Sequence, residues 1–502
     1  MPAVSSHELA AHLWKAADML RGEVETSSAV NCIAGLLVLK RLSDRFEEEV
    51  EELIAGGEGE VAGNDPDEHE FVVPEDARWG AIQAHTTQMG DVLNRACAMI
   101  ADRNPTSREW ANAIDFNDRR LLAGDASDRV LQRLVDHFSL LSMRNSALGD
   151  LSEVGLGCQA FLGRLADGEG KRGASFHIPD RLAELLVQLL DPQPGMRISD
   201  PACGAGGVLV RCGIHAARRS GQRLGVDTID LTLHGQERNV GASVLCRINM
   251  VLAGLSDARI ESGDTIHDPK LVRHGELMLY DRVITSPPIG PGDWGVERAS
   301  QDRFGRFRYG LPPRHNGDYA FVQHALASLN SSGVAGIVVS PGVLFRGGSE
   351  AAIRAKLVDS DVIEAIIALP ANLLHGTAIP VVVLVLNRNK PRSRRDKILF
   401  VDASLCFEAC GKRNELRPAD IDRIVAAMRA YRDEDRFCRV AAVAEVTAND
   451  HNLSVARYVD TLTSEAPIDV DEELVAARNI EATRDAAAAR MDELLRLLGH
   501  GT

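Results

Sequence analysis

The chain has 502 residues, of which 45% are hydrophobic and 25% are charged, and its formal net charge is -16. At roughly 150 residues per domain, this length allows about three folded units and a large core. The negative charge argues against a protein that coats DNA by itself, because non-specific affinity comes mainly from Lys and Arg side chains at phosphates; any contact with nucleic acid is then local or shared with a partner.

Membrane-spanning, export and metal-binding patterns are absent from the sequence. No apolar run approaches the roughly 20 residues of a membrane helix, and the N-terminal stretch MPAVSSHELAAHLWKAADML carries acids and lacks a basic segment before a long apolar core. The nine cysteines form no Cys-x-x-Cys pair. We therefore expect a cytoplasmic protein with reduced thiols, no bound metal and no membrane partner.

Changes of pattern along the chain predict four regions. Apolar residues at three and four spacing predict an N-terminal helical domain over 1–165. Over 166–404, apolar runs typical of strands (RISD, TLHGQE, DRVITS, VAGIVVS, VIEAIIAL and PVVVLVL) alternate with amphipathic helices. This alternation predicts an α/β domain with a mostly parallel sheet and helices on both faces. Helical and irregular structure is expected over 405–469, and a long helix over 470–502.

The sharpest local signal is a glycine-rich turn directly after the first predicted strand, RISD. It comprises Asp200, Pro201, Ala202, Cys203, Gly204, Ala205, Gly206 and Gly207. Glycine lets the backbone approach a ligand closely, and open α/β sheets bind ligands at the carboxyl ends of their strands. A turn of this kind is weak evidence alone. It lacks the G-x-G-x-x-G phosphate fingerprint, which favours a nucleoside ligand without a pyrophosphate.

Acidic residues follow the next two predicted strands. Glu237 ends TLHGQE and is suited to accept both hydroxyls of a ribose, whereas Asp264 follows a third short strand, where it and Thr265 can accept from an adenine amine. A Gly-Asp-Thr sequence is more often only a turn. Its place in the sheet order favours the binding interpretation.

A later strand, DRVIT, ends in Ser286, Pro287, Pro288 and Ile289. The two prolines remove backbone donors and stiffen the turn, so the Ser286 hydroxyl and nearby carbonyls can act as acceptors in the cleft. Acceptors placed there would hold an exocyclic amine and favour the positive charge that develops on it during methyl transfer.

Two basic stretches are candidates for contact with nucleic acid. One is RFGRFRYGLPPRHNGDY, in which arginines alternate with aromatic residues, and the other is KPRSRRDK, residues 390–397. A solvated basic loop is an equally good interpretation of each.

The order of these motifs resembles that of the amino-methylating DNA methyltransferases, and nearly the entire chain is similar to the modification (M) subunits of type I restriction-modification systems. Stretches that carry this resemblance include HLWKAADMLRG, FVVPEDARW, RFRYGLPPRHNGDYAFVQHALASL, LPANLLHGTAIPVVVLVLNRNK and NDHNLSVARYVDT. The resemblance implies a Rossmann-like fold that transfers a methyl group from S-adenosylmethionine to the exocyclic amine of adenine in double-stranded DNA. It also aligns the segment Ser175, Phe176, His177, Ile178 and Pro179 with a family motif at the methionine end of the cofactor.

The resemblance implies partners as well. Type I M subunits take their recognition site from a specificity (S) subunit, with two M subunits per complex and a restriction (R) subunit added for cleavage. The predicted C-terminal helix carries Ile480, Ala487, Met491, Leu494 and Leu498 at heptad positions, interrupted by Arg484. We expect this helix to join helices of the S subunit, although packing on the chain's own core is the alternative.

Two departures from the family pattern lie around the expected active cleft. Ser286-Pro287-Pro288-Ile289 stands where the family usually has Asn-Pro-Pro-Phe or Asn-Pro-Pro-Tyr, and Phe176-His177-Ile178-Pro179 stands where Phe-Tyr-Thr-Pro is usual. The aromatic ring normally stacks on a flipped base, a contact worth about 1 to 3 kcal/mol. Two alternatives therefore stay open: a methyltransferase of this ancestry with a non-DNA substrate, and a non-catalytic assembly subunit.

Overall fold

A computed structural model describes residues 4–21, 26–59, 65–118, 126–169, 177–411, 413–461 and 470–500. Residues 1–459 form one compact unit, and 460–502 form a second. The helices are α1 (Ser6–Leu20), α2 (Thr26–Gly56), α3 (Trp79–Gln83), α4 (Met89–Arg103), α5 (Arg108–Ala111), α6 (Ala126–Ser139), α7 (Asn145–Leu148), α8 (Leu151–Glu169), α9 (Asp180–Leu190), α10 (Gly207–Ser220), α11 (Val240–Leu252), α12 (Val296–Ala299), α13 (Asp318–Ala327), α14 (Ser349–Asp359), α15 (Pro418–Ala430), α16 (Val443–Ala448) and α17 (Val470–Leu497).

The strands are β1 (Arg197–Asp200), β2 (Thr232–Glu237), β3 (Arg259–Ser262), β4 (Val272–Arg273), β5 (Glu276–Leu277), β6 (Tyr280–Thr285), β7 (Leu329–Val339), β8 (Ile363–Ala368), β9 (Val382–Asn387), β10 (Lys397–Asp402), β11 (Glu408–Cys410), β12 (Arg413–Glu415) and β13 (Cys438–Ala442). All six strands predicted from apolar runs are confirmed, as β1, β2, β6, β7, β8 and β9. Their residues are largely buried on both faces, as expected for strands covered by helices.

The main sheet has nine strands in the described residues, in the order β13-β10-β8-β9-β7-β6-β1-β2-β3. From β3 to β7 neighbouring strands are parallel, β9 is antiparallel to both β7 and β8, and β13 pairs antiparallel with β10 at the edge. The chain builds outward from β1 to β3, then crosses back to β6 on the other side of β1. Ligands bind at such a switch point, outside the carboxyl ends of the strands. This mixed sheet is the Rossmann-like methyltransferase fold that the sequence predicts.

The helical N-terminal region packs against the sheet domain through α11. Helices α2, α5 and α8 all contact α11, and an ion pair joins Arg247 of α11 to Glu109 of α5. The expected domain boundary at 165 falls within α8, and the region expected to be an extension over 405–469 contributes β13 to the main sheet.

Helix α17 belongs to the second unit. Its apolar side chains are exposed, including those of Ile480, Met491, Leu494 and Leu498. A search of the described residues found no helix long and apolar enough to cross a membrane.

Candidate active site

A cavity of about 480 Å³ lies where β1, β2, β3 and β6 end, and its volume falls within the range of small-molecule sites, roughly 300 to 1,000 Å³. The predicted site residues in its wall are His177, Ile178, Asp200, Pro201, Cys203, Gly204, Gly207, Glu237, Asp264, Ser286, Pro287, Pro288 and Ile289. Pro179 caps the start of α9 instead, whereas Ser175 and Phe176 lie outside the described residues. The structure therefore brings together most of the residues that the motifs singled out.

The glycine-rich turn joins β1 to α10 and is held from behind by α11. Gly204 and Gly206 have φ angles of 53° and 87°, which few other residues adopt. A Cβ atom on Gly206 would lie 2.9 Å from the Cys246 sulfur, and the Asn249 side chain donates to the Ala205 carbonyl at 2.8 Å. Gly206 and Ala205 are outside the cavity wall. The expectation that Gly206 leaves room for a ligand is thus corrected, because its missing side chain leaves room for α11.

Glu237 is fixed at the end of β2 by main-chain donors. One carboxylate oxygen accepts from the Gly204 N–H at 2.9 Å, and the other accepts from the Asn239 N–H at 2.7 Å. Burial raises the pKa of the Glu237 carboxyl, while these main-chain donors lower it. Each carboxylate oxygen has a second lone pair, so the group can still accept from two neighbouring hydroxyls of a ligand.

Asp264 ends β3 in a tight turn at the cavity wall. Its Oδ1 accepts from the main-chain N–H groups of Ile266 and His267 at 2.9 and 3.0 Å, and its Oδ2 lies 3.4 Å from Arg238. The Thr265 hydroxyl donates to the Pro201 carbonyl at 2.6 Å. This network joins the turn after β3 to the glycine-rich turn, so the Asp264 oxygens are already paired with protein groups.

Ser286 to Ile289 follow β6 and enter the same cavity. The next residue, Gly290, donates its N–H to Asp318 at 2.7 Å, and Asp318 accepts from Ser340 at 2.5 Å. Asp318 is buried at the start of α13, so the reactive loop is tied to a rigid element. Pro287 is buried, while Ser286 and Ile289 are half-buried.

Several residues of the cavity wall were not predicted from the sequence. Trp294, Phe321, His375, Thr377 and Ile379 come from segments far from the glycine-rich turn. The Trp294 indole donates to the Pro313 carbonyl at 2.9 Å. An aromatic residue in a loop with alternating basic residues was the one available signal, and it was assigned to a possible nucleic-acid contact.

Both basic stretches prove to be partly structural. Arg306 is buried, pairs with Asp302 at 2.8 Å and donates to the carbonyls of Thr265 and Ile266 at 3.0 and 2.8 Å. Lys390 is also buried and lies 2.5 Å from Asp361. These two cations are therefore unavailable to phosphates, whereas the arginines at 303, 308 and 314 remain exposed.

Comparison with known proteins agrees with this architecture. The model of the N-6 DNA Methylase family matches residues 148–466, and that of the HsdM N-terminal domain matches residues 9–138. The type I restriction enzyme MjaIX methylase subunit of Methanocaldococcus jannaschii is 28% identical over 481 residues, covering 89% of this chain and 83% of that protein. The EcoKI methylase subunit of Escherichia coli is 25% identical and covers 91% of this chain and 84% of its own length.

A solved structure supports the same fold. The crystal structure of the type I restriction-modification system methyltransferase subunit from Streptococcus thermophilus has a TM-score of 0.78 and 24% sequence identity, covering 91% of this chain and 100% of that one. The N-6 DNA Methylase model alone spans more than half of the sequence. The protein therefore belongs to the N-6 DNA methylase family of methyltransferases.

Proposed function

We propose that this protein is the modification subunit of a type I restriction-modification system. It transfers a methyl group from S-adenosylmethionine to the exocyclic amine of adenine, within a DNA site chosen by a specificity subunit. The observation that carries the proposal is one cavity whose wall contains both the Glu237 carboxylate beside Gly204 and the loop Ser286-Pro287-Pro288.

The residues present fit an S-adenosylmethionine molecule. The cavity has the volume of a small-molecule site, and a buried carboxylate with free lone pairs lies at the end of β2. Glu237 would hold the ribose hydroxyls, and the turns after β1 and β3 would enclose the nucleoside. When bound, the cofactor supplies a methyl group on an electrophilic sulfonium.

The acceptor amine would be held by the loop after β6. The Ser286 hydroxyl and the carbonyls around the two prolines are hydrogen-bond acceptors, and the prolines contribute no competing N–H group. Such acceptors bind an amine more strongly as it becomes positive, so they stabilise the transition state more than the ground state. Because Asp318 fixes Gly290, this geometry is set before the substrate arrives.

Partner dependence of DNA binding is supported by charge. The net charge of -16 and the burial of Arg306 and Lys390 leave few cations for phosphate contacts, which dominate affinity for DNA. A specificity subunit would supply these contacts and read the bases. The exposed apolar face of α17 is the surface that we assign to this subunit.

The test is methyl transfer by the chain in complex with its specificity subunit. DNA containing the recognition site is incubated with methyl-labelled S-adenosylmethionine, and its nucleosides are analysed by mass spectrometry. We expect N6-methyladenine with the wild type, and a loss of at least about 100-fold with Ser286→Ala while cofactor affinity is kept. Ser331→Ala, at an exposed serine of β7, is the matched control. Labelled cytosine, or full activity in Ser286→Ala, would contradict the proposal.

A further inference from the structure

Two imidazoles lie in the cavity wall outside the residues used above. His177 precedes α9, and His375 lies in the segment between β8 and β9. Their ring centroids are 5.4 Å apart, and both residues are at least nine-tenths buried. His375 Nε2 and His177 Nδ1 are buried without a hydrogen-bond partner in the described part of the chain. Buried polar atoms are nearly always paired in native proteins, so orphaned atoms in a cavity wall point to a ligand group.

The surroundings of His375 fix which kind of group this is. Its Nδ1 lies 3.0 Å from the Asp167 carboxylate, which Arg413 also contacts at 2.6 Å. Burial raises the pKa of Asp167, but Arg413 and His375 lower it further, so the carboxylate is ionised. An ionised carboxylate accepts hydrogen bonds only, and Nδ1 must therefore carry the proton.

His375 is consequently a neutral ring with an acceptor at Nε2. Burial lowers the pKa of His375, followed in effect by the charge of Arg413, which keeps the ring neutral near pH 7. The group that complements Nε2 must be a donor. Burial and the neighbouring His375 likewise lower the pKa of His177 to about 3, so no positive imidazole stands against a cationic ligand here.

The cofactor and the acceptor base both offer amine donors, and the sheet order separates them. The nucleoside assigned to Glu237 and Asp264 lies at the ends of β2 and β3, and the base amine is assigned to the loop after β6. His375 follows β8, which lies beyond β6 in the strand order. Among these groups, the amino-acid end of the cofactor is the part that extends away from the nucleoside.

We propose that His375, oriented by Asp167, accepts a hydrogen bond at Nε2 from the α-ammonium of the cofactor, with His177 beside it. An ammonium has three donors and can serve both orphaned nitrogens. Asp167 is a positioning residue, because it acts by holding the proton on Nδ1. This assignment rests on the proposed use of S-adenosylmethionine.

The test compares two ligands that differ in the amino-acid end. S-adenosylhomocysteine carries the ammonium, and 5'-methylthioadenosine keeps the ribose and adenine without it. In calorimetry, His375→Phe should weaken S-adenosylhomocysteine by at least about tenfold and 5'-methylthioadenosine by less than about twofold. His375→Gln should recover part of the loss, because its amide can donate to Asp167 and present an oxygen near the position of Nε2. Asp167→Ala should show the same ligand selectivity as His375→Phe.

The outcomes separate this inference from the proposed function. Equal losses for both ligands would mean that His375 only supports the fold and would overturn the assignment. Unchanged cofactor affinity with a raised KM for DNA would place the base amine at His375 and also overturn it. Glu237→Gln should weaken both ligands; if it weakens neither, the proposed cofactor site fails regardless of His375. Thermal melting of each variant confirms that it is folded.

Discussion

The Thr285 hydroxyl donates to Oδ1 of Asp200 at 2.6 Å, which joins the last residue of β6 to the last residue of β1. Both residues are buried, and the same carboxylate oxygen also accepts from the Ala202 N–H at 3.0 Å. The two loops that would hold the methyl donor and the methyl acceptor therefore share one buried hydrogen bond. Thr285 was not singled out from the sequence.

Asp200 should make the stability of the protein depend on pH. Burial raises the pKa of Asp200 to about 7 from a model value of 3.8, opposed by the Thr285 hydrogen bond. Between these values the native state holds a proton that the unfolded chain has released, so this contribution favours folding at low pH and is lost as the pH rises through about 7. Between about pH 5 and about pH 8, the wild-type Tm should fall several degrees more than the Tm of Asp200→Asn.

A second substitution checks that the relevant group is Asp200. Thr285→Val removes the hydrogen bond that lowers the pKa of Asp200, so the pH at which stability is lost should move upward. Equal Tm changes with pH in wild type and Asp200→Asn would contradict the raised pKa.

Loss of the Glu237 carboxylate should weaken cofactor binding. Glu237→Gln keeps the shape of the side chain but directs an NH₂ group at one of two main-chain N–H donors, and it removes a charged acceptor for the ribose. We expect affinity for S-adenosylhomocysteine to fall by at least about tenfold, or about 1.4 kcal/mol. Calorimetry measures this, with Glu276→Gln at an exposed position of β5 as the control. Equal affinities in the two variants would remove Glu237 from the site.

Arg306 should contribute to stability, and Arg303 should not. Arg306 is buried against Asp302 and two carbonyls that follow β3. Removing one partner of a buried ion pair costs about 3 to 5 kcal/mol, because the other charge is left unpaired. Arg306→Met should therefore lower the Tm markedly, while Arg303→Met, at an exposed position, should leave it unchanged. A normal Tm for Arg306→Met would return this side chain to the candidates for DNA contact.

These cases show which features could be predicted from sequence. The turn at Gly204, Glu237 and the loop at Ser286 each follow a strand directly, so strand order alone predicts that they meet. Arg306 and Lys390 were ambiguous because their partners, Asp302 and Asp361, are identified only by the folded chain. His375 was not predicted, because one histidine in an irregular segment carries no pattern, and its meaning depends on Asp167 in α8.

Restoring an aromatic residue at position 289 tests the class of substrate. Ile289 lines the cavity and packs partly against the core, so it offers only an apolar contact to a flipped base. Stacking contributes about 1 to 3 kcal/mol per base, and Ile289→Phe should therefore lower the KM for DNA several-fold without changing cofactor affinity. Ile289→Leu, which adds no ring, is the control. If methyl transfer to DNA falls in the aromatic variant but not in the leucine variant, a non-DNA substrate becomes the better explanation.

The exposed apolar face of α17 should be required for assembly. Ile480, Met491 and Leu494 lie within about 40° of one another around the helix axis, at 3.6 residues per turn, and each is more than half exposed. An exposed apolar stripe on a helix is typical of a surface that joins another helix.

Ile480→Glu with Leu494→Glu should therefore abolish co-purification with the specificity subunit and site-specific DNA methylation, as should deletion of 470–502. Ala489→Glu, about 180° from Ile480 on the same helix, changes charge equally and should preserve assembly. Cofactor affinity and Tm should be unaffected in all of these variants, because the predicted cofactor site lies entirely within residues 1–459. Normal assembly of the double glutamate variant would show that this face of α17 does not bind the specificity subunit, and loss of cofactor affinity would show instead that the helix supports the chain's own fold.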